Sequence, residues 1–421
     1  MNTRSEGQYV STVRKSYFKT AGACIALAIV AALTGVLALY LLPPTAGEVI
    51  AALSALVTLV AVVLGCAGLL VLERYRRGSR GEPDLFLHLN RSRDSAAIAA
   101  ATPPRISSLR RWLARRMLGH DLVVGDLVEI RPWAEIRATL DERGCLRELP
   151  FMPEMLAMCG QRGRVFRCAH RIFDYRKTRR MRHLDDAVLL VGSVCDGSGH
   201  GGCEAACHTI WRSAWLRRVG STDAPAPDPA AAADAGTTVL EFGTRSPRFV
   251  CQLTQLNAAS RPIGNRSLVN FLRPLVSGNV APAAFIVGWL THLFNELQHH
   301  RGGISFPAFE EVPRANTVEE ARLKPGETVL VRSSGEIRST LNDQLVHRGM
   351  GFETDMLKHC GGRYRVQMEI SKLIDIVTGE MRTMKTPAYL LYDTHFSGER
   401  QLFNAQYEPL FWRSAWLQKG D

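Results

Sequence analysis

Three cysteines lie close together in a glycine-rich stretch, in the pattern Cys195-x7-Cys203-x3-Cys207. Two histidines are interleaved with them, and a further cysteine lies upstream. Thiolates combined with imidazoles suit tetrahedral zinc, whereas thiolates alone suit an iron–sulfur cluster. The candidate metal ligands are therefore Cys168, Cys195, His200, Cys203, Cys207 and His208.

An internal duplication supports this prediction. The segment from Gly125 to Leu216 returns 201 residues later without an insertion, so that Glu135-Ile-Arg-Ala-Thr-Leu140 reappears as Glu336-Ile-Arg-Ser-Thr-Leu341. The four cysteines are absent together from the second copy, where their positions hold Glu369, Phe396, Asn404 and Glu408. Ligands of one ion are lost as a set, whereas packing cysteines vary independently. The alternative is a group of reduced thiols without a metal, because the spacing differs from the common Cys-x2-Cys pattern.

Two other cysteines behave differently. Cys159 and Cys360 occupy the same position in both copies, each followed by glycine, and we interpret them as core thiols packed beside nearby Phe and Met side chains. The chain has no paired carboxylates, Ser-His-Asp order, phosphate-binding loop or dinucleotide fingerprint. These absences disfavour an enzyme and leave one only as an alternative that uses the cysteine-rich loop.

The elements that position these residues are mostly short strands. Leu127 to Arg131 and Thr328 to Arg332 alternate as half-buried strands do, and 151–159 and 352–360 each suggest one or two helical turns. Several short strands around one small helix predict an α+β fold with two tandem small barrels. The Gly-acid-x-Val opening strand and the Gly-x-x-x-Val return strand of each copy resemble SH3-like barrels.

A second resemblance covers most of residues 120 to 420. It is carried by Pro150-Phe-Met-Pro-Glu-Met-Leu156 with Cys159, by the loop from Cys195 to Cys207, and by the terminal Trp-Arg-x-x-Trp-Leu. The chain resembles a group of uncharacterised two-repeat bacterial proteins with a cysteine-containing first repeat, for which no activity is known. The resemblance implies a shared fold. In such proteins a cysteine often precedes the aspartate matching Asp174, where this chain has Phe173.

The N-terminal region predicts a membrane anchor. Two apolar runs, Ala21 to Leu42 and Val49 to Leu72, are each long enough to cross the hydrocarbon layer. Lys and Arg residues flank the hairpin but are absent from its short turn, so the positive-inside rule predicts an inner (cytoplasmic) membrane protein with both termini in the cytoplasm. In that reducing compartment the remaining cysteines are not expected to form disulfides.

The composition completes the predicted organisation. We expect a cytosolic tail (1–20), the hairpin (21–72), a basic juxtamembrane segment with an amphipathic helix (73–119), the first repeat (120–220), a Pro- and Ala-rich flexible linker (221–244), a helical connector between the repeats (245–320) and the second repeat (321–421). The connector contains one long helix beginning at Pro282 and stopping before Gly302.

The formal charge of +12 and the isoelectric point near 9.4 indicate an anionic partner. For the cationic run from Arg176 to Arg182, anionic lipid headgroups fit a membrane protein. Nucleic acid fits less well, because the run lacks interleaved aromatic residues. We therefore predict a membrane-anchored scaffold that holds a structural zinc ion and recruits a cytosolic protein. The alternatives are an iron–sulfur or thiol redox sensor and an enzyme of unknown reaction.

Overall fold

The computed structural model describes residues 3–80, 82–102, 106–174, 178, 180–219, 248–263, 268–309, 320, 322–401 and 403–420. The fold is α+β, as predicted, with two long apolar helices followed by a β-rich region. The predicted linker at 221–244 and part of the cationic run lie outside the described residues.

The N-terminal hairpin consists of α1 (Thr3–Leu41) and α2 (Pro44–Ser79). By length and composition, the segments Thr12–Leu39 and Thr45–Ser79 are each able to span a membrane. Most of their large apolar side chains point outward, away from the rest of the protein. The two helices approach closely at Gly68, where an added Cβ atom would lie only 3.0 Å from the backbone of Ala21.

The N-terminal tail is not a separate segment, because α1 already begins at Thr3. The reason is the tertiary packing of the part of α1 that precedes its apolar run. Tyr17 is fully buried, and its ring packs edge-on against Tyr75 of α2 and Phe294 of the connector. These contacts extend the helix beyond its apolar run.

The shorter helices are α3 (Leu85–Asn90), α4 (Ser95–Ala100), α5 (Ser108–Leu118), α6 (Trp133–Arg137), α7 (Gln252–Ala259), α8 (Leu268–Ser277), α9 (Pro282–His300) and α10 (Ser334–Thr340). The long connector helix forms as predicted, as α9, but its position differs from the prediction. It packs against α2 and α3 rather than only between the β-rich units, because its apolar face meets the end of the hairpin. The amphipathic helix also forms, as α5, capped by Ser107.

Helix α5 uses its apolar residues on two sides. The β-rich region has two units, which correspond to the repeats predicted at 120–220 and 321–421. Met117 and Leu118 are buried in the core of the first β-rich unit. Leu109 and Trp112 of the same helix are instead 65% and 56% exposed. The helix is therefore docked on the protein and still presents an apolar edge outward.

Two five-stranded antiparallel sheets form the β-rich region. The first has the strand order β8-β7-β4-β1-β9, formed by β1 (Leu127–Ile130), β4 (Arg162–Cys168), β7 (Ala187–Val194), β8 (His208–Arg212) and β9 (Leu216–Arg218). The second has the order β16-β15-β14-β11-β17, formed by β11 (Thr328–Val331), β14 (Arg363–Ile374), β15 (Met381–His395), β16 (Pro409–Arg413) and β17 (Leu417–Lys419). Two-residue and three-residue strands complete the set: β2 (Cys145–Leu146), β3 (Leu149–Pro150), β5 (Arg171–Phe173), β6 (Met181–His183), β10 (Arg261–Pro262), β12 (Val346–His347) and β13 (Met350–Gly351).

The two sheets have the same register of strand pairing at equivalent positions of the duplicated sequence. Leu127 pairs with Arg164 in the first and Thr328 with Arg365 in the second, which is the same pair displaced by 201 positions. The duplicated Trp-Arg-x-x-Trp-Leu sequence is part of this agreement.

Each copy of that sequence buries both tryptophans completely. The indole of Trp215 donates to Thr139 Oγ1 at 3.0 Å, and that of Trp416 donates to Thr340 Oγ1 at 3.1 Å. The motif is therefore a packing element of the fold.

The two units contact each other reciprocally. The backbone N–H of Glu204 donates to the carbonyl of Lys372 at 3.1 Å, and that of Ala405 donates to the carbonyl of Arg171 at 2.8 Å. Each of these bonds joins the same two positions of the duplicated sequence with the units exchanged. Such reciprocity is the property of a two-fold interface, so the chain packs like a homodimer whose subunits are covalently joined.

Candidate metal centre

The cysteine-rich loop joins two neighbouring strands of the first sheet. Cys195 follows β7 directly, Cys207 precedes β8, and the N–H of Cys195 donates to the carbonyl of Cys207 at 2.8 Å. Gly197 has φ +73°, and a Cβ atom there would lie 2.2 Å from the carbonyl oxygen of Cys203. Glycine is therefore required for the loop to fold back on itself.

Three ligand atoms converge at the base of this loop. The sulfur of Cys195 lies 3.1 Å from Oε1 of Glu154 and 3.5 Å from Nε2 of His200. Oε1 of Glu154 lies 3.8 Å from Nδ1 of His200. One thiol, one imidazole and one carboxylate thus offer ligand atoms that are all within 4.8 Å of one another.

The polar atoms of this cluster are poorly satisfied by the protein. Glu154 Oε2 and His200 Nδ1 are buried and make no hydrogen bond within the described residues. Buried polar atoms without partners are costly, and native proteins usually pair them. A cation bound between these side chains would satisfy them.

A cavity of about 40 Å³ adjoins the cluster. It is lined by Glu154, Cys195 and His200 together with further potential ligands, which are Cys203, Cys207, His208 and Cys251. A volume of roughly 10–15 Å³ accommodates one water molecule, so an ion with bound water fits in the cavity.

Two thiols of this cavity, Cys195 and Cys207, are protonated when no cation is near. Burial, followed by the negative charge of Glu154, raises the pKa of Cys195 far above its ordinary value. Burial raises the pKa of Cys207 in the same way, and Glu408 raises it further. Burial lowers the pKa of His200, against the opposing effect of Glu154, and so favours the neutral imidazole that binds metals. The bare thiols are therefore poor nucleophiles, and a thiophilic cation would be needed to form thiolates.

The predicted ligands separate into two groups in the structure. Cys195, His200, Cys203, Cys207 and His208 all line the cavity. Cys168 does not: its sulfur lies in the core of the first unit, 3.5 Å from the carbonyl oxygen of Leu122. Its position at the end of β4 directs it into the sheet's packed face, away from the loop.

His208 and Cys203 have other contacts as well. The ring of His208 packs against Phe166 and Tyr407, at 5.5 and 5.4 Å between centroids. The sulfur of Cys203 accepts a hydrogen bond from the N–H of Ile374 at 3.3 Å, so the loop also contacts the second unit.

Sequence reasoning missed two residues of the cavity. Glu154 lies in the small helix predicted at 151–159, which is a 3-10 helix at Pro153–Met158 in the structure, and it was not identified as a ligand. Cys251 precedes α7 and lies outside the duplicated segment, so comparison of the copies gave no signal for it. Because α7 packs on β3 of the first unit, Cys251 is brought to the cavity.

The same position in the second unit is occupied differently. Asp355 replaces Glu154, Phe396 replaces Cys195 and Gln401 replaces His200. Asp355 is paired with Lys358 at 2.6 Å, and Lys358 is paired with Glu399 at 2.9 Å. The second unit therefore has an ion-pair network at the position that holds the candidate ligands in the first.

Comparison of this chain with protein-family models, with curated proteins and with solved structures gives no match.

Proposed function

We propose that the protein is a membrane-anchored scaffold whose first β-rich unit binds a zinc ion through Glu154, Cys195 and His200. The observation that carries the proposal is the convergence of these three ligand atoms within 4.8 Å, two of them from residues with unpaired buried atoms. Cys203 and Cys207 line the same cavity and are the candidates for a fourth ligand.

The donor set favours zinc over an iron–sulfur cluster. Zinc accepts sulfur, imidazole and carboxylate ligands in one tetrahedral site, whereas clusters are held mainly by thiolates. The nearest partners of Cys195 are a carboxylate and an imidazole. An ion here would tie the loop between β7 and β8 to the 3-10 helix at Pro153–Met158, which suits a structural role.

The ion would also act at the contact between the units. Cys203 bonds to Ile374 of the second unit, and Cys207 hydrogen-bonds with Glu408, its equivalent in the duplicated sequence. Binding would therefore fix the orientation of the two units, which we infer to be copies of one SH3-like module. The hairpin would hold them on the cytoplasmic face of the inner membrane, both termini inside, where they would recruit a cytosolic protein.

A thiol redox function is the second candidate. It is favoured by the number of thiols at the cavity, where Cys203, Cys207 and Cys251 accompany Cys195. Visible absorption distinguishes an iron–sulfur cluster from zinc, since only the cluster is coloured.

The test is metal analysis of the full chain, purified in detergent and dialysed after exposure to zinc. We expect about one zinc ion per chain, lost in Cys195→Ser and in His200→Gln but kept in Cys145→Ser. Cys145 is a matched control because its thiol contacts the carbonyl of Arg143 and does not line the cavity. An equal zinc content in Cys195→Ser and Cys145→Ser would refute the site. A visible absorption band would indicate an iron–sulfur cluster in place of zinc.

A further inference from the structure

A second group of unsatisfied polar side chains lies away from the cysteines. Arg171 on β5 and Arg273 on α8 are only 7% and 8% exposed. Nε of Arg171 and both Nε and Nη1 of Arg273 are buried and have no hydrogen-bond partner among the described residues. Neither ring nitrogen of His170, the residue before Arg171, makes a hydrogen bond of good geometry among the described residues, although the backbone of Cys168 is close to the ring.

The two arginines are neighbours. Nη1 of Arg171 approaches the carbonyl oxygen of Asn270 at 3.5 Å, and Arg273 follows Asn270 by one turn of α8. Burial, and after it the charge of Arg273, lowers the pKa of Arg171 to about 10. Two buried guanidinium groups are therefore close enough for the charge of one to act on the other.

Among the described residues, neither arginine forms a salt bridge with a carboxylate. Asp185 lies within electrostatic range of Arg273, but it is bound by Arg261 at 2.8 Å and by His183 at 3.0 Å. Burial lowers the pKa of His292, the negative charge of Glu296 raises it, and the positive charge of Arg171 lowers it further. Burying a charge without an opposite charge is unfavourable in general, so an anionic partner is expected.

We infer that Arg171 and Arg273, with His170 beside them, form a binding site for a phosphate-class oxyanion. Guanidinium groups match phosphate oxygens with paired N–H donors, and a neutral imidazole can add one more N–H donor. The phosphate could belong to a free phosphate compound or to the headgroup of an anionic lipid. This inference is independent of the zinc proposal.

The neighbourhood of the site makes a lipid headgroup a realistic source. Leu272, the residue before Arg273, is exposed, as is Ile286 on the adjacent α9. Helix α8 also contacts α5, which presents Leu109 and Trp112 outward. An outward apolar edge beside buried cationic groups is the arrangement expected at a membrane surface.

The test uses the full chain in a neutral detergent without phosphate, with thermal unfolding as the readout. Inorganic phosphate is the first probe, and nanodiscs of phosphatidylglycerol compared with phosphatidylcholine are the second. At about ten times its Kd, the ligand is expected to raise Tm by about 2 °C. The rise should vanish in Arg171→Gln and Arg273→Gln and persist in Arg143→Gln, whose side chain is 64% exposed on the first unit.

The two arms separate the sources. A rise with inorganic phosphate assigns the site to a free phosphate compound, and a rise only with phosphatidylglycerol assigns it to a lipid headgroup. Without ligand, Arg171→Gln and Arg273→Gln should unfold no earlier than the wild type, because each removes an unpaired buried charge. A Tm unaffected by either probe, or an equal rise in all variants, would overturn the inference, as would an early unfolding of both variants.

Discussion

Arg74 joins the end of α2, the second long apolar helix, to the second β-rich unit, and its loss has a calculable effect. Its side chain is fully buried and bonds to Asp84 at 2.7 Å, to Glu399 at 2.6 Å and to Thr291 at 2.8 Å. The network also contains Lys358 and Asp355. Three carboxylates thus share two cations.

The charge count predicts unequal effects of two substitutions. Arg74→Met leaves three buried carboxylates with Lys358 alone, and breaking a buried pair in this way costs about 3–5 kcal/mol. Glu399→Gln leaves two cations with two carboxylates, and the loss of charge-assisted hydrogen bonds costs about 2 kcal/mol. The cation is therefore the more important member, although Glu399 contacts two partners.

Hydrogen exchange measures this difference in the intact protein. We follow the amides of the loop around Gly398 by mass spectrometry, in detergent, for the wild type and both variants. Protection should fall by about 10²- to 4 × 10³-fold in Arg74→Met and by about 30-fold in Glu399→Gln. Arg143→Met, at an exposed ion pair, is the control and should leave the loop unchanged. Unchanged protection in Arg74→Met, or a larger loss in Glu399→Gln, would refute the reasoning.

The same network predicts a response to pH: burial would raise the pKa of Glu399, but Arg74 and Lys358 outweigh it and lower the pKa to about 2. A carboxyl group whose pKa is lowered by folding stabilises the fold at pH values above its unfolded pKa, which is near 4.5, and this stabilisation is lost as the pH falls towards about 2. Unfolding of the wild type should therefore become easier below about pH 4.5. This trend should weaken in Glu399→Gln. A loss of stability centred near pH 6 would point to a histidine instead. In the cysteine-rich loop, Gly197→Ala should destabilise the first unit by several kcal/mol and abolish zinc retention, because the new Cβ atom would clash with the carbonyl group of Cys203. Gly192 has a similar φ of +72° but open space around it, so Gly192→Ala should cost only about 1 kcal/mol. Urea unfolding and metal analysis of both variants check this, and equal losses would show that steric contact is not the cause.

Part of the candidate site could be read from the sequence. The loop cysteines and histidines were identified because they are close in the chain and absent from the second copy, and the structure brings Cys195, His200, Cys203, Cys207 and His208 to one cavity. Glu154 and Cys251 were missed as ligands because each reaches the cavity through packing between distant segments. Cys168 was included on the same copy comparison, which cannot tell a loop thiol from a core thiol.

The sequence by itself determined the elements whose signals are local. Two apolar runs gave the hairpin, the 201-residue offset gave two sheets of equal strand order, and a helix beginning at Pro282 followed from its apolar period. Only the tertiary structure decided the reciprocal contact of the units, the burial of Arg74 among carboxylates and the proximity of Arg171 to Arg273. The physical reason is that helix and strand patterns depend on neighbours a few residues apart. Burial of a charge depends instead on which remote surfaces exclude water from it.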